Sequence, residues 1–198
     1  MRVADWIISK LHNYGCSEIF GVTGGAVVHL FDAAECHPSV KVNYFNHEQS
    51  AAFAAEAHAK YSASLSACIV TTGPGATNAL TGLAAAWLDS VPMVFISGQA
   101  RSNNIISGRP LRQVGTQEID IVSIVHSVCK ESLQITSINK LISSFDNIIQ
   151  SVHEGRPGPV WLDICVDVLW SEMPSESIEA GVVNLGTSNK NNNSIKNI

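Results

Sequence analysis

The sequence predicts an α/β domain: a three-layer αβα arrangement around a mostly parallel, six-stranded sheet. First, the 198 residues are 45% hydrophobic and only 15% charged, a balance typical of one well-buried core. Second, short apolar runs alternate with segments whose apolar residues recur at helical spacing. Third, residues 91–98 (VPMVFISG) are almost wholly apolar, as in a strand covered on both faces. Strands separated by helices indicate parallel pairing through helical crossovers.

The first half of the chain shows this alternation clearly. "VADWIISKLHNYG" places Val3, Trp6, Ile7 and Leu11 on one helical face and stops at Gly15. The following segments predict a strand, a glycine turn with a helix, a second strand and an alanine-rich helix: "EIFGV", "TGGAVVHLFDAAE", "VKVNYF" and "EQSAAFAAEAHAKYS".

The second half repeats the pattern after one interruption. "SACIVTT" predicts a strand, "GPGATNALTGLAAAWLDS" a glycine turn with a helix, and "VPMVFISG" the buried strand. A long polar stretch, "QARSNNIISGRPLRQVGTQ", then breaks the alternation. The remaining segments predict a short helix, a strand, a helix and a last strand: "EIDIVSIV", "VCKESLQIT", "INKLISSFDNIIQSVHEG" and "GPVWLDIC".

Composition also divides the chain. We assign residues 1–170 to the folded domain and residues 171–198 to a linker or disordered tail, because the sequence there turns to Ser, Asn, Gly and Lys.

Charge and cysteine content exclude several classes of protein. The net charge is −5 and Lys and Arg do not cluster, which argues against nucleic acid or an anionic membrane as partner. The sequence contains neither a signal-peptide pattern nor an apolar run of membrane-spanning length, so we expect a cytoplasmic protein. The five cysteines are scattered without a C-x-x-C pair, and we interpret them as small hydrophobic residues in a reducing compartment.

Three strand-to-helix turns are candidates for a binding site, because ligands of parallel sheets bind beyond the carboxyl ends of the strands. They are residues 21–26 (GVTGGA), 46–49 (NHEQ) and 71–78 (TTGPGATN). Taken singly, each is a weak signal. The first lacks the G-x-G-x-x-G spacing and the third lacks the G-K-[ST] ending of a P-loop, so either one can be a simple tight turn.

Glu48 is open to two interpretations. A glutamate in the first turn of a helix can be a cap that favours the macrodipole by about 0.3–1 kcal/mol. However, six alanines follow it, at positions 51, 52, 54, 55, 57 and 59, so a backbone or helix can approach closely. We therefore expect a carboxylate in a dry position, where it can share or pass a proton.

The ordered set of segments is far more specific than its parts. "FGVTGGAVVHLFDA", "NHEQSAAFAAEAHAK" and "TTGPGATNALTGLAAAWLDSVPMVFISGQ" resemble the pyrimidine-binding domain of thiamine-diphosphate enzymes, the acetolactate synthase group above all. The later stretch at residues 117–122 (QEIDIV) also matches that group. The resemblance runs from about residue 2 to residue 168.

The resemblance implies roles for particular residues. Glu48 matches the glutamate that hydrogen-bonds a ring nitrogen of the aminopyrimidine and stabilises its imino tautomer, which then takes the thiazolium C2 proton. His47 and Gln117 are implied to lie near the substrate. The implied cofactor-binding residues are Val22, Thr23, Gly24, Gly25, Thr72, Gly73, Pro74 and Asn78.

The chain departs from the group in two ways. Acetolactate synthases usually carry Tyr-Pro where this chain has Val22-Thr23, so carboligation and decarboxylation of a 2-oxo acid both stay open. No Gly-Asp-Gly motif occurs, and in these enzymes that motif marks the domain holding Mg²⁺ and the diphosphate. We therefore expect thiamine diphosphate and Mg²⁺ to need a diphosphate-binding domain in cis or in trans, and FAD dependence stays open.

Several explanations fit a chain that carries only the pyrimidine-binding part of a cofactor site. The chain can be the N-terminal domain of a longer enzyme, the small subunit of a split 2-oxo acid decarboxylase, or a non-catalytic dimerisation module of the same fold. We expect it to be inactive alone and to form a homo-oligomer through residues 49–61 and 76–87. Arg101, Arg109 and Arg112 can contact a substrate carboxylate or simply be solvated.

Overall fold

The computed structural model of the chain describes residues 1–106 and 108–175. In that part of the chain, one sheet of six parallel strands has the order β2-β1-β3-β4-β6-β5. The strands are β1 (Glu18–Gly21), β2 (Lys41–Tyr44), β3 (Ser66–Val70), β4 (Met93–Gln99), β5 (Ser132–Ile135) and β6 (Val160–Cys165). The predicted six-stranded sheet is confirmed, and its pairing is wholly parallel.

Helices cover both faces of the sheet, as predicted. In the described residues they are α1 (Val3–Asn13), α2 (Val28–Cys36), α3 (Glu48–Ser62), α4 (Pro74–Asn78), α5 (Leu80–Leu88), α6 (Ile121–Val125), α7 (Ile138–Ser151) and α8 (Val166–Trp170). One apolar core packs α1, α2, α7 and α8 against the sheet, and a second packs α3 to α6 against the opposite face. Neighbouring strand residues alternate between the two cores, since successive side chains of a strand point to opposite faces. Ile19 and Phe20 are one such pair.

The strand order contains two places where the chain changes direction across the sheet. From β1 the chain goes to β2 on one side and then to β3 on the other, which opens a crevice between the carboxyl ends of β1 and β3. Crevices of this kind are the usual ligand sites of open parallel sheets. The second reversal places β6 between β4 and β5, which brings Ser97, Gln134 and Asp163 into register on adjacent strands.

Four of the six alanines of α3 are buried within the chain. Ala51, Ala52, Ala55 and Ala59 are buried in the core beneath α3 and α5. The two helices approach so closely that a Cβ atom on Gly82 would lie 2.4 Å from the Cβ of Ala52. The close contact expected from the alanine content is therefore an intramolecular one.

Two details differ from the pattern in the sequence. The single helix predicted after the "GPG" turn is divided at Ala79 into α4 and α5. The five-residue α8 has no counterpart among the predicted elements, because so short a segment carries no helical periodicity.

The predicted tail begins with residues that pair with the N-terminus. Val3 donates its N–H to Ser171, Met173 donates to Met1, and Met173 is buried. The rest of that prediction falls mainly on residues 176–198, which lie outside the described residues.

Among the described residues, none of the helices is both long and apolar enough to cross a membrane. The five cysteines are free thiols, four of them buried, whereas Cys36 is exposed.

Candidate cofactor site at the carboxyl edge

The first and third predicted turns meet at the crevice between β1 and β3. Gly24 packs so closely on Thr71 that an added Cβ would lie 2.5 Å from the Cβ of Thr71. Only glycine permits this approach, so the two turns are joined across the crevice. In the same turn Gly25 is open, with no atom within 4 Å of a Cβ position. Thr23 is exposed and Val22 is half-buried.

Glu48 and Asn78 face each other across this crevice. Asn78 Nδ2 donates to Glu48 Oε2 at 2.9 Å, which joins the first turn of α3 to the end of α4. The other oxygen, Oε1, lies beside Gly75, whose missing Cβ would be 3.3 Å away. Glu48 is half-buried, so the expectation of a dry, buried carboxylate is wrong for the chain as it stands. Its carboxylate is positioned by Asn78 and keeps one oxygen available.

His47 is the N-cap of α3. Its Nδ1 accepts the N–H of Gln49 at 3.2 Å, and the residue is exposed. This contact orients the turn that carries Glu48.

Gln117 lies on the third turn through its main chain. Its carbonyl oxygen would be 2.4 Å from a Cβ on Gly73, and both residues have a positive φ, +57° and +62°. Thr72 is buried, and its single hydroxyl proton is shared between Gln99 Oε1 at 3.0 Å and the Gln117 carbonyl oxygen at 3.2 Å. The Thr72 side chain is thus directed into the protein, and Gly73 beside it is buried, while the exposed Pro74 forms the open rim of the turn.

Two cavities flank the segment that contains Gln117. One of about 360 Å³ lies towards the first turn, and one of about 470 Å³ lies towards Pro74. The first is lined by Gly25, Ala26, Thr71, Thr72, Gln99, Ala100, Arg101, Asn104, Gly115, Thr116, Gln117 and Val166. The second is lined by Gly73, Pro74, Thr77, Gln113, Thr116, Gln117, Glu118 and Ile119. The eleven predicted site residues therefore all lie at or near this edge. Five of them line a cavity, namely Gly25, Thr72, Gly73, Pro74 and Gln117, whereas the other six line neither: Val22, Thr23, Gly24, His47, Glu48 and Asn78.

Beneath the site lies a buried polar cluster that sequence reasoning missed. Asp163 is fully buried and accepts hydrogen bonds from Ser97, Gln99 and Gln134 at 2.6–3.1 Å. Burial raises the pKa of Asp163 to about 6, against the lowering effect of these donors. The available signal was a polar residue inside each of two otherwise apolar strands, in "VFISGQ" and "VWLDIC".

The long loop between β4 and α6 supplies the remaining charged groups. The guanidinium of Arg101 lies 4.9 Å above the ring of Trp170, a cation–π contact at the rim of the smaller cavity. Arg109 and Arg112 are exposed. Glu118 accepts the main-chain N–H groups of Ile106, Val114 and Gly115.

Other features of the described residues do not suggest a metal or anion site. No group of three or more His, Cys, Asp or Glu side chains within those residues is arranged to hold a metal ion. A further cavity of about 360 Å³ lies away from the candidate site, beside Lys130 and Arg156. Both cations there already donate to main-chain carbonyl groups.

A doubly wound parallel sheet, glycine turns at its switch point and one oriented carboxylate define a cofactor-binding α/β domain. Residues 1–124 match the family of thiamine pyrophosphate enzymes, N-terminal TPP binding domain, and the chain belongs to that family.

Similar proteins include acetolactate synthase large subunits from bacteria and acetolactate synthases from plants. The chain is 37% identical over 166 residues to the large subunit of Buchnera aphidicola subsp. Schizaphis graminum, a match that covers 84% of this chain and 28% of that protein. It is 36% identical over 168 residues to chloroplastic acetolactate synthase 1 of Oryza sativa subsp. japonica, covering 83% and 25%. It is 36% identical over 168 residues to the isozyme 2 large subunit of Escherichia coli K12, covering 85% and 29%. The chain thus spans less than a third of the length of these relatives.

Proposed function

We propose that this chain is the pyrimidine-binding part of a thiamine-diphosphate enzyme that acts on 2-oxo acids, by carboligation of the acetolactate synthase type or by decarboxylation. The single observation that supports it most is the Asn78–Glu48 contact at the switch point of the sheet. A carboxylate that served only as a helix cap would not need an amide from another turn to orient it.

The residues present fit an aminopyrimidine ring. Because Asn78 occupies Glu48 Oε2, Oε1 is left to hydrogen-bond a ring nitrogen and share its proton. The exposed Gly25 and Pro74 offer a surface with little side-chain bulk on two turns, which suits a flat ring, while Gly24 and Gly73 hold these turns in close contact with their neighbours. His47 holds the turn that carries Glu48, and Gln117 lines the cavity beside Pro74, where a substrate would lie next to the ring.

When bound, thiamine diphosphate supplies the carbon nucleophile that adds to the carbonyl group of a 2-oxo acid. This chain would contribute the proton-sharing acid, the orientation of the ring and part of the wall that excludes water. We propose that Mg²⁺ and the diphosphate are held by a separate domain, in cis or in trans, and that the chain alone is catalytically silent. The two departures from acetolactate synthases leave carboligation and decarboxylation as alternatives, and FAD dependence is a further question for the assembled enzyme.

We expect that partner to cover the outer side of α3 and α5. Lys60 and Asp89 are ion-paired at 2.6 Å, so the ends of the two helices are adjacent. Tyr61 and Leu88 next to them are 94% and 71% exposed. Two such large apolar side chains at adjacent helix ends indicate a surface that another chain or domain covers.

The test is Glu48→Gln in the assembled enzyme, read as hydrogen–deuterium exchange at C2 of the bound cofactor. Gln keeps the shape and one oxygen but does not ionise. We expect exchange to slow by at least two orders of magnitude, a barrier increase of roughly 3 kcal/mol, with unchanged stability.

The matched control is Glu56→Gln, which removes a charge from the same helix, where Glu56 pairs with Lys60. It should leave C2 exchange at the wild-type rate. Equal exchange rates in Glu48→Gln and wild type would reduce Glu48 to a cap, and the interaction module would become the better description of the chain.

A further inference from the structure

We propose that Gln99, anchored by the buried Asp163, is a positioning residue that fixes the segment 117–119 on the turn 72–75. The functional meaning of this inference rests on the function proposed above. The contacts that carry it are properties of this chain alone and are tested without cofactor.

The anchor is a row of polar side chains across three strands. Ser97 of β4, Asp163 of β6 and Gln134 of β5 are in register. Asp163 Oδ1 accepts from the Ser97 hydroxyl at 2.6 Å, and Oδ2 accepts from the Gln99 and Gln134 amides at 3.0 and 3.1 Å. The Ser97 hydroxyl in turn accepts the indole N–H of Trp161 at 2.9 Å. Every polar atom named here has a partner, which is what a stable buried network requires.

Gln99 connects this row to the candidate site. Its side chain is fully buried, and its Nε2 donates to Asp163 Oδ2 and to the carbonyl oxygen of Ile119, both at 3.0 Å. Its Oε1 accepts the Thr72 hydroxyl at 3.0 Å and the N–H of Ala100 at 2.8 Å. Two donors and two acceptors are all in use, and only an amide side chain of this length offers both. Because Asp163 can only accept from it, the amide is held with its oxygen towards Thr72.

The consequence is that two side-chain contacts hold one main-chain segment. The Gln99 amide holds the Ile119 carbonyl, and the Thr72 hydroxyl holds the Gln117 carbonyl. Gln117 itself lies in the left-handed region, with its carbonyl against Gly73. A non-glycine residue in that region is sustained by its surroundings rather than by its own preference. The buried side-chain amide of Gln99 therefore fixes the position of Gln117 relative to the turn that contains Pro74.

The experiment compares Thr72→Val with Thr72→Ser in this chain, read by residue-resolved amide hydrogen exchange. Val has the shape of Thr without the hydroxyl, whereas Ser keeps the hydroxyl. The reporters are the amides of Val114 and Gly115, which are bound by the carboxylate of Glu118, the residue next to Gln117. We expect exchange there to rise at least tenfold in Thr72→Val and to return to near the wild-type rate in Thr72→Ser.

A matched control is Ser66→Ala, which removes another fully buried hydroxyl, the one bonded to His58 at 2.7 Å, and should leave the reporters unchanged. Wild-type exchange at the reporters in Thr72→Val overturns the proposal. So does a rise that is equally large at the β1 and β3 amides, since that is a general loss of stability. If Thr72→Val does not fold, Gln99→Asn, whose shorter amide does not span the gap, must give the same local pattern. All these outcomes are independent of whether the assembled enzyme uses thiamine diphosphate.

Discussion

A single carboxylate, that of Glu118, organises the long loop before α6. It accepts three main-chain N–H groups, from Ile106, Val114 and Gly115, the last two at 2.9 and 3.0 Å. Burial alone would raise the pKa of this carboxyl, but the three donors outweigh it and hold the pKa below its ordinary value. In the sequence, Glu118 is simply the neighbour of Gln117. Its role depends on a loop conformation that has no periodic signal.

We predict that Glu118→Gln loosens this loop at neutral pH. The charged acceptor is lost, at a cost of roughly 1–2 kcal/mol to the loop, and proteolytic cleavage within residues 101–118 should accelerate about tenfold. Since the pKa of Glu118 is lowered in the folded state, its contribution is present above the unfolded pKa and is lost as the pH falls through the folded pKa. The wild-type loop should therefore become as sensitive as the variant only in acid.

The control is Glu131→Gln, which changes an exposed acid with no side-chain hydrogen bond among the described residues. A cleavage rate in Glu118→Gln that matches this control at neutral pH would contradict the assigned role.

At the scale of the element, α3 and α5 pack against each other without room for a side chain at Gly82. Gly82 faces Ala52 where no Cβ fits, and the same helix α3 carries Glu48 at its first residue. The contact with α5 sets the distance between α3 and the sheet, and the position of Glu48 therefore depends on this contact.

We predict that Gly82→Ala destabilises the chain despite the better helix propensity of alanine. The propensity gain is about 1 kcal/mol, whereas the overpacked Cβ costs typically 1–3 kcal/mol and must push α3 outwards. Urea unfolding should show a net loss of stability. Gly25→Ala is the control, because nothing lies within 4 Å of its Cβ position, and it should unfold like the wild type. A more stable Gly82→Ala variant would show that α3 and α5 separate easily.

At the scale of the whole molecule, α3 and α5 expose large apolar side chains at their C-terminal ends, the ends that lie away from the site. We predict that the chain, without a covering partner, associates with a second copy through Tyr61 and Leu88. Replacing both by Ser should weaken the association at least tenfold, as measured by light scattering over a range of concentrations. Leu111→Ser, which changes a 57% exposed leucine in the long loop, should leave the association unchanged. A wild-type chain that stays monomeric at high concentration would contradict this prediction.

The class of fold and most of the site follow from the order of residues along the chain. Alternating strand and helix patterns require a parallel sheet with two helical layers, and the turn after each strand then falls at the carboxyl edge. For this reason the alternation alone predicts that the turns carrying Gly24, Glu48 and Gly73 converge. The resemblance of these segments to thiamine-diphosphate enzymes then predicts which cofactor the turns would bind.

Which strands are neighbours, and what supports the site from beneath, depends on the folded arrangement. Hydrophobic periodicity predicts which face of a helix or strand is buried, but it does not predict which other element packs against that face. Asp163 and Ser97 are 66 residues apart in the chain, and Thr72 and Gln117 are 45 apart. Placing β6 between β4 and β5, and folding the loop back over the third turn, brought these pairs together. The same folding buried four of the six alanines of α3 inside the chain. It left Glu48 half-buried, since full burial of that residue depends on a surface that α3 alone does not supply.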